Sequence, residues 1–294
     1  MKNFLETLRF EETHSENTIQ AYIGDLTRFR TYLESKYRSV LFGGGMIPRY
    51  FTDFLESENL SGFSANTLQR RKMVLAQFAQ YLTSIGEFTS DQVAEILNWR
   101  ISLWHDIYLQ DVEFLSDGDL KAILEADLAS GVARSSRDKA IISILLETGL
   151  AISTVIELHI ENIDLAQGKL RLSSGNMYEF EIPRSTQLIR TFIQEERPDM
   201  VQRSDETILF ISQLGGPITR QGVWQMMKTI GDRLSPPIKL TPRVLRNTAV
   251  KQMIERELSI SEIQDRLGHK NIYSTRGLVR KIRRTIEKQE AGDD

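Results

Sequence analysis

The sequence predicts a mainly α-helical protein with a small β-hairpin or sheet, preceded by an all-helical N-terminal domain. Apolar residues recur at spacings of three and four through most of the 294 residues, which is the pattern of amphipathic helices. Apolar and polar residues alternate in two short segments on either side of a Gly-containing turn, which is typical of a hairpin. The 40% hydrophobic content suffices for ordinary globular cores, and the length fits one or two domains.

Residues 1–100 are predicted to form the helical N-terminal domain. Ser15–Thr18 offers N-cap candidates for one helix, a second helix runs from about Pro48 to Glu58, and Ser64–Thr67 opens a third. These residues contain 11 Lys and Arg against 12 Asp and Glu. Because the charges nearly cancel, any basic surface on this domain must be one-sided.

Residues 101–113 are predicted to connect the domains, and their aromatic residues favour packing over a free linker. The second domain is predicted to span 114–294. A helix from about Arg137 to Thr148 lies near its start, and the strand-like segments Leu170–Leu172 and Glu179–Ile182 form the hairpin. A short strand at Ile208–Ile211, a helix capped by Thr219 and a basic region follow.

The basic region, Lys239–Lys288, has 13 Lys and Arg against five Asp and Glu, although the whole chain has a formal charge of −3. Thr241 followed by a proline predicts a helix start. Arg243 and Arg246 are three residues apart, so both can project from one side of that helix. Gly268 is predicted to end the helix after it.

The motifs LTPRVLRNTAVKQMI and IQDRLGHKNIYST in this region resemble the tyrosine recombinase (phage integrase) family, especially its Xer-type members. The family pattern is close to L-T-P-H-x-L-R-H-T, followed by L-L-G-H and by a nucleophilic Tyr nine residues after that His. The resemblance implies that Arg246 is the second catalytic arginine and that His269 is the histidine of the L-G-H element.

Other catalytic positions of the family carry different residues here. Arg243 and Asn247 replace the two histidines beside Arg246, and Leu278 stands where the family has its nucleophile. Ala151, in ETGLAISTVIEL, replaces the family's first catalytic arginine. Ser174 falls on the position at which the family has a catalytic lysine in its hairpin. Leucine has no lone pair with which to attack a phosphodiester, so the resemblance implies a defective active site.

The resemblance also implies DNA-facing segments elsewhere in the chain. SENTIQAYIGDLTRFRTYL and SANTLQRRKMVLAQFAQYL resemble the family's N-terminal core-binding domain, whereas a plain solvated surface is the alternative for their basic residues. ITRQGVWQMMKTIG resembles the family helix that enters a groove near the cleavage site, and an ordinary amphipathic helix is the equal alternative. The candidate DNA-binding residues are Arg70, Arg71, Lys72, Arg220, Gln221, Lys228, Arg243 and Arg246.

Three functional hypotheses follow. The first is a catalytically inactive protein of this family that clamps double-stranded DNA between its two domains and acts in or regulates recombination. The second is an active recombinase with a displaced nucleophile, Tyr273. The third is an interaction scaffold that does not bind DNA, which the pI of 5.9 favours. The family's C-terminal helix docks on a neighbouring protomer. The basic helix after Leu278 is therefore expected to contact a second copy of this chain or an active recombinase partner, to bind phosphates, or to be mobile.

Composition excludes several other classes of site. The chain has no Cys, and its four histidines (His14, His105, His159 and His269) show no metal-ligand spacing, so neither a metal nor another cofactor is expected. No apolar run is long enough to span a bilayer, and the N-terminus lacks the apolar region of a signal peptide. A cytoplasmic protein without membrane contact is therefore expected.

Overall fold

The protein is described by a computed structural model and forms two compact units, residues 1–110 and 111–294. Helices dominate both units, as predicted. Residues 101–110 of the predicted connection lie outside the described residues, whereas residues 111–113 belong to the second unit. The described residues are 2–10, 16–37, 45–99, 111–125, 136–174, 176–203, 206–269 and 271–291.

The first unit is helical wherever it is described in regular structure. The predicted cap of its fourth helix is confirmed, because the Ser64 side chain accepts a hydrogen bond from the Thr67 amide. Its core is aromatic: the ring centroid of Phe29 lies 4.9 Å from that of Phe51 and 5.2 Å from that of Phe54. The helices are α1 (Lys2–Phe10), α2 (Glu16–Tyr37), α3 (Pro48–Leu60), α4 (Ala65–Ser84) and α5 (Ser90–Asn98).

The second unit surrounds a small antiparallel sheet with helices. The strands are β1 (Ile163–Asp164), β2 (Lys169–Ser174) and β3 (Asn176–Glu181), in the order β1-β2-β3. Leu170 pairs with Phe180, which confirms the predicted hairpin. The helices are α6 (Asp117–Glu125), α7 (Ser136–Thr148), α8 (Ile152–Ile156), a 3-10 turn (Ile160–Asn162), α9 (Pro183–Thr191) continued by a π-helical segment (Phe192–Glu196), α10 (Arg197–Met200), α11 (Arg220–Arg233), α12 (Pro242–Glu255), α13 (Ile260–Leu267) and α14 (Ile272–Glu290).

Helices α7 and α9 run side by side and cap each other with carboxylates. Glu147, in the last turn of α7, accepts hydrogen bonds from the amides of Arg184 and Ser185 at the start of α9. Glu196, where the π-helical segment ends, accepts a hydrogen bond from the Ser136 amide at the start of α7. Each carboxylate accepts hydrogen bonds from amide groups that have no partner within their own helix. Its negative charge also interacts favourably with the positive N-terminal end of the helix dipole.

The predicted strand Ile208–Ile211 is wrong, because only isolated β-bridges form there, at Ile208 and at Ile211. The buried guanidinium of Arg197 explains the difference. It donates hydrogen bonds to the backbone carbonyls of Glu206 at 2.7 Å, Ile208 at 2.8 Å and Leu209 at 3.4 Å. These carbonyls are therefore occupied by a side chain and do not form a strand ladder.

Helix α14 packs within its own unit, against α12 and α13. Val279 and Ile282 are buried in this contact, and the buried Thr285 hydroxyl accepts a hydrogen bond from the Val112 amide at 3.2 Å. For the same face of α14 to dock on a neighbouring protomer, α14 would therefore first have to detach from α12 and α13. Lys288 also pairs with Asp111.

None of the described helices combines the length and apolar composition that a membrane span requires. The described residues also contain no cluster of three or more potential metal ligands. His14 and His105 lie outside the described residues.

Candidate nucleic-acid interface

Arg243 and Arg246 lie on the first two turns of α12. Thr241 caps this helix, because its Oγ1 accepts a hydrogen bond from the Val244 amide at 3.2 Å, and Pro242 occupies the first helical position, as predicted. Arg243 is exposed and has no hydrogen bond or ion pair within the described part of the chain. Arg246, one turn later, is half-buried.

Three acceptors hold the guanidinium of Arg246. Its Nη1 donates to the Gly149 carbonyl at 2.8 Å, and its Nη2 donates to the Leu267 carbonyl at 3.1 Å and to Nε2 of His269 at 2.9 Å. Gly149 has a φ of +69°, and a Cβ there would lie 3.0 Å from Leu267 and 3.2 Å from Met253. Glycine suits this backbone conformation and this close approach, and the resulting turn sets the position of the Gly149 carbonyl.

His269 follows Gly268, which ends α13 in the left-handed conformation with a φ of +64°, as predicted. A guanidinium can only donate, so Nε2 of His269 must accept from Arg246 and carries no proton. Nδ1 therefore carries the proton and donates to the hydroxyl of the buried Thr275 at 2.8 Å. Burial and then the charge of Arg246 lower the pKa of His269, so the ring is neutral at pH 7.

The charge of Arg246 is not neutralised by its described partners, because all three are uncharged. Burial lowers the pKa of Arg246, but an arginine stays protonated in proteins. Its Nε–H and one Nη1–H have no partner among the described residues. A positioned cation with free donors is a suitable binding group for one phosphate oxygen.

The basic run in α4 lies in a different environment. Both nitrogens of the Arg70 fork pair with Asp25, at 2.8 Å and 2.9 Å. Arg71 is only 6% exposed and forms ion pairs with Asp25 at 3.2 Å and with Glu58. Both arginines are therefore paired with carboxylates within the unit.

Lys72 is 7% exposed and donates to the backbone carbonyl of Trp99 at 2.7 Å. Burial is at odds with the predicted phosphate contacts of Arg71 and Lys72, so we remove both from the interface. The spacing of apolar residues in this helix already indicated that both side chains are buried. Arg71 and Lys72 follow Leu68 by three and four residues and precede Leu75 by four and three, so they share its buried face.

Helix α11 presents the remaining candidates. Arg220 and Gln221 are exposed in its first turn and have no partner among the described residues. Lys228 is also exposed, but it forms an ion pair with Asp232 at i+4. Trp224 lies between them in sequence and is 48% exposed, a large apolar group that the sequence analysis did not select.

The two units match two family descriptions. Residues 1–86 match the phage integrase N-terminal SAM-like domain, and residues 113–281 match the phage integrase family itself. The chain belongs to the phage integrase family. It is 25% identical over 283 residues to tyrosine recombinase XerD of Staphylococcus aureus, covering 94% of this chain and 91% of that protein.

Solved structures with this fold include a transposon integrase and a site-specific recombinase. The Tn1549 transposon integrase in complex with transposon right end DNA superposes with a TM-score of 0.70, at 18% identity, over 94% of this chain and 92% of that one. The XerH site-specific recombinase bound to palindromic difH substrate gives 0.71, at 16% identity, over 93% and 79%. At these identities the likeness establishes the fold.

Two positions where the resemblance predicts catalytic groups hold apolar side chains. Ala151 is the N-cap residue of α8 and makes no side-chain hydrogen bond. Leu278 is half-buried on α14 and packs against an apolar cluster. At the position predicted for the nucleophile, the side chain thus contributes packing and has no hydroxyl. The cluster consists of Val112, Ala249, Val250, Met253, Ile263, Leu267, Val279 and Ile282.

The hairpin does not supply an evident substitute for the family's lysine. Lys169 pairs with Glu179 across the two strands, as expected of a surface residue. Gly175 and the side chain of Ser174 lie outside the described residues.

Thr275, which orients His269, was missed by sequence reasoning, since nothing in the local pattern links a threonine to a histidine six residues earlier.

Tyr273 lies in the first turn of α14. Its side chain is 73% exposed, and the guanidinium of Arg276 lies 5.9 Å from its ring centroid. No described hydrogen bond links its hydroxyl to Arg246 or His269. The phenol is therefore accessible but is not positioned by these two residues.

Proposed function

We propose that this chain binds double-stranded DNA without cleaving it and that it acts in or regulates DNA recombination. One observation carries the proposal. Arg246 keeps an uncompensated positive charge, whereas the nucleophile position, Leu278, is packed into an apolar cluster. A phosphate-binding group is therefore retained without a side chain that attacks phosphorus.

The loss of the first arginine supports the same proposal. Ala151 has no donor for a phosphate oxygen, and losing one such donor costs roughly 3–4 kcal/mol of transition-state stabilisation. Restoring a tyrosine alone would leave this deficit in place. A Leu278→Tyr variant is accordingly expected to form no covalent adduct.

The exposed residues Arg220, Gln221 and Arg243 join Arg246 as the proposed DNA contacts. Arginines that neutralise phosphates release counterions, so binding should weaken steeply with salt. Gln221 carries an amide that can hydrogen-bond a base edge in the major groove. The relatives in complex with DNA support the choice of DNA as partner.

The test combines gel retardation with covalent capture. The full chain is titrated into random-sequence duplexes at low and moderate salt, and into nicked suicide substrates followed by denaturing electrophoresis. We expect salt-sensitive retardation and no adduct that survives denaturant. Absence of retardation of any duplex at low salt would instead favour a scaffold that does not bind DNA.

A second candidate is cleavage by Tyr273, which its exposure favours. An adduct that forms with the wild-type chain and disappears in Tyr273→Phe would establish this activity and would contradict our proposal. Tyr178, a half-buried tyrosine on β3, provides the matched Tyr178→Phe control.

A further inference from the structure

Trp224 is the one large apolar side chain exposed on α11, a helix whose residues are all described. It is 48% exposed, although tryptophan is on average highly buried in folded proteins. The opposite side of the helix is firmly packed, because Val223 and Met227 are fully buried and Gly231 approaches the Ile238 carbonyl too closely for a side chain. This packing fixes the exposed face of α11 in place.

The neighbours of Trp224 on this exposed face are polar. Arg220 lies one turn before it, Gln221 three residues before it and Gln225 directly after it. All three are exposed, and none has a hydrogen bond or ion pair within the described part of the chain. The two glutamines are four residues apart, so their amides project from one side of the helix. The face therefore combines one apolar ring with unpaired amides and a cation.

The isolation of the Trp224 ring among polar groups favours a particular kind of partner. A protein partner would be expected to cover a wider apolar patch, and no second large apolar side chain of α11 is exposed beside the ring. The DNA major groove is about 12 Å wide and admits an α-helix. Its base edges present hydrogen-bond donors and acceptors with one kind of apolar group, the C5-methyl of thymine. One ring among amides matches one methyl among these donors and acceptors.

We propose that Trp224 is a base-reading residue whose ring contacts the C5-methyl of a thymine in the major groove. The amides of Gln221 and Gln225 hydrogen-bond the neighbouring base edges, and Arg220 contacts a phosphate. This inference rests on the proposed DNA binding and adds the chemistry of the base that is recognised. Phosphate contacts carry no sequence information, so they would not produce a thymine preference.

The experiment compares thymine with deoxyuridine, which lacks only the C5-methyl. Duplexes that bind the full chain are selected from a random pool by gel retardation, and each thymine of a selected duplex is then replaced in turn. We expect deoxyuridine at one or two positions to weaken binding about fourfold, the effect of losing one buried methyl group. Replacement at the other positions should leave the affinity unchanged. This comparison uses the wild-type chain and does not depend on the folding of a variant.

Substitution of Trp224 assigns the thymine preference to this side chain. Trp224→Ala should weaken binding to the thymine duplex at least about fourfold and should bind the thymine and deoxyuridine duplexes equally well. Circular dichroism checks that the variant folds. Leu60→Ala is the matched control, because it removes an apolar side chain that is 80% exposed in the first unit. It should keep both the wild-type affinity and the preference for thymine.

Two results would overturn the inference while leaving DNA binding intact. One is deoxyuridine that weakens binding at no position, and the other is Trp224→Ala that keeps the wild-type preference for thymine. A ring inserted between base pairs from the minor groove would give the first result, because the thymine methyl lies in the major groove. If no duplex is retarded at low salt, the proposed function itself fails and this inference fails with it.

Discussion

Two arginine clusters among the described residues, one in each unit, have partners that differ in charge. In the first unit, Arg71 pairs with the carboxylates of Asp25 and Glu58. In the second, Arg246 is held by two backbone carbonyls and a neutral His269. Every arginine of the first cluster, including Arg28 and Arg70, is paired with a carboxylate, whereas Arg246 has no carboxylate partner among the described residues.

This difference in partners is our reason for assigning different roles to the two clusters. The guanidinium carbon of Arg71 lies 4.1 Å from the ring centroid of Phe63, and that of Arg28, which also pairs with Glu58, lies at 4.6 Å. This cluster therefore joins α2, α3 and α4 by charge and stacking. Arg246 uses uncharged acceptors that orient it without compensating its charge. We infer that the first cluster stabilises the fold and the second binds a phosphate.

The largest expected effect tests the structural role of the first cluster. Arg71→Met leaves Asp25 and Glu58 with less compensation in a buried site, which costs about 3–5 kcal/mol of the free energy of unfolding. Hydrogen exchange of the α4 amides measures this loss in the first unit. The control Arg30→Met removes a surface i,i+4 pair and should cost less than about 0.5 kcal/mol. Equal losses in the two variants would contradict the structural role.

The second prediction tests the charged role of Arg246. Arg246→Gln should weaken DNA binding about tenfold or more at moderate salt and should lower the slope of log K against log salt by about 1. Arg70→Gln is the comparison, because Asp25 already compensates Arg70. It should leave the slope unchanged. A slope that falls for Arg70→Gln and not for Arg246→Gln would reverse the assignment of the two clusters.

The third prediction concerns pH. The folded-state pKa of His269 is lowered, so below about pH 6.5, its ordinary pKa, the unfolded chain binds more protons than the folded chain. Stability contributed by the neutral ring is therefore fully present above that pH and is lost as pH falls toward the folded pKa. Denaturant unfolding of the wild type and His269→Gln between pH 7.5 and 5.5 measures this. The two curves should converge at the acidic end, and parallel curves would contradict the assigned neutral tautomer.

Local signals predicted the ends of the helices well. Ser64, Thr241 and Gly268 cap their helices as expected, because a cap depends on a few neighbouring residues. Retained Arg246 and His269 were also predicted from their motifs. Their contact joins α12 to the segment that follows Gly268 at the end of α13.

The partners of the arginines could not be predicted from the sequence, because they are distant in the chain. Asp25 lies 45 residues from Arg70, and the carbonyl of Gly149 lies 97 residues from Arg246. A count of basic residues does not show whether a carboxylate lies beside them in the fold. For Arg71 the apolar spacing of its helix was the available signal, and it conflicted with the expected solvent exposure of arginine.

The smallest expected effect compares two cations on one helix. Lys228 and Asp232 are both about half exposed, so their ion pair is weak and screens the lysine only in part. Arg220 has no such partner among the described residues. Arg220→Gln should lower the slope of log K against log salt by about 1, and Lys228→Gln by well under 1. The double variant Lys228→Gln with Asp232→Asn controls for the freed carboxylate and should match wild type more closely than Arg220→Gln does. If Lys228→Gln lowered the slope as much as Arg220→Gln, local compensation would not decide which cations of this chain bind phosphate.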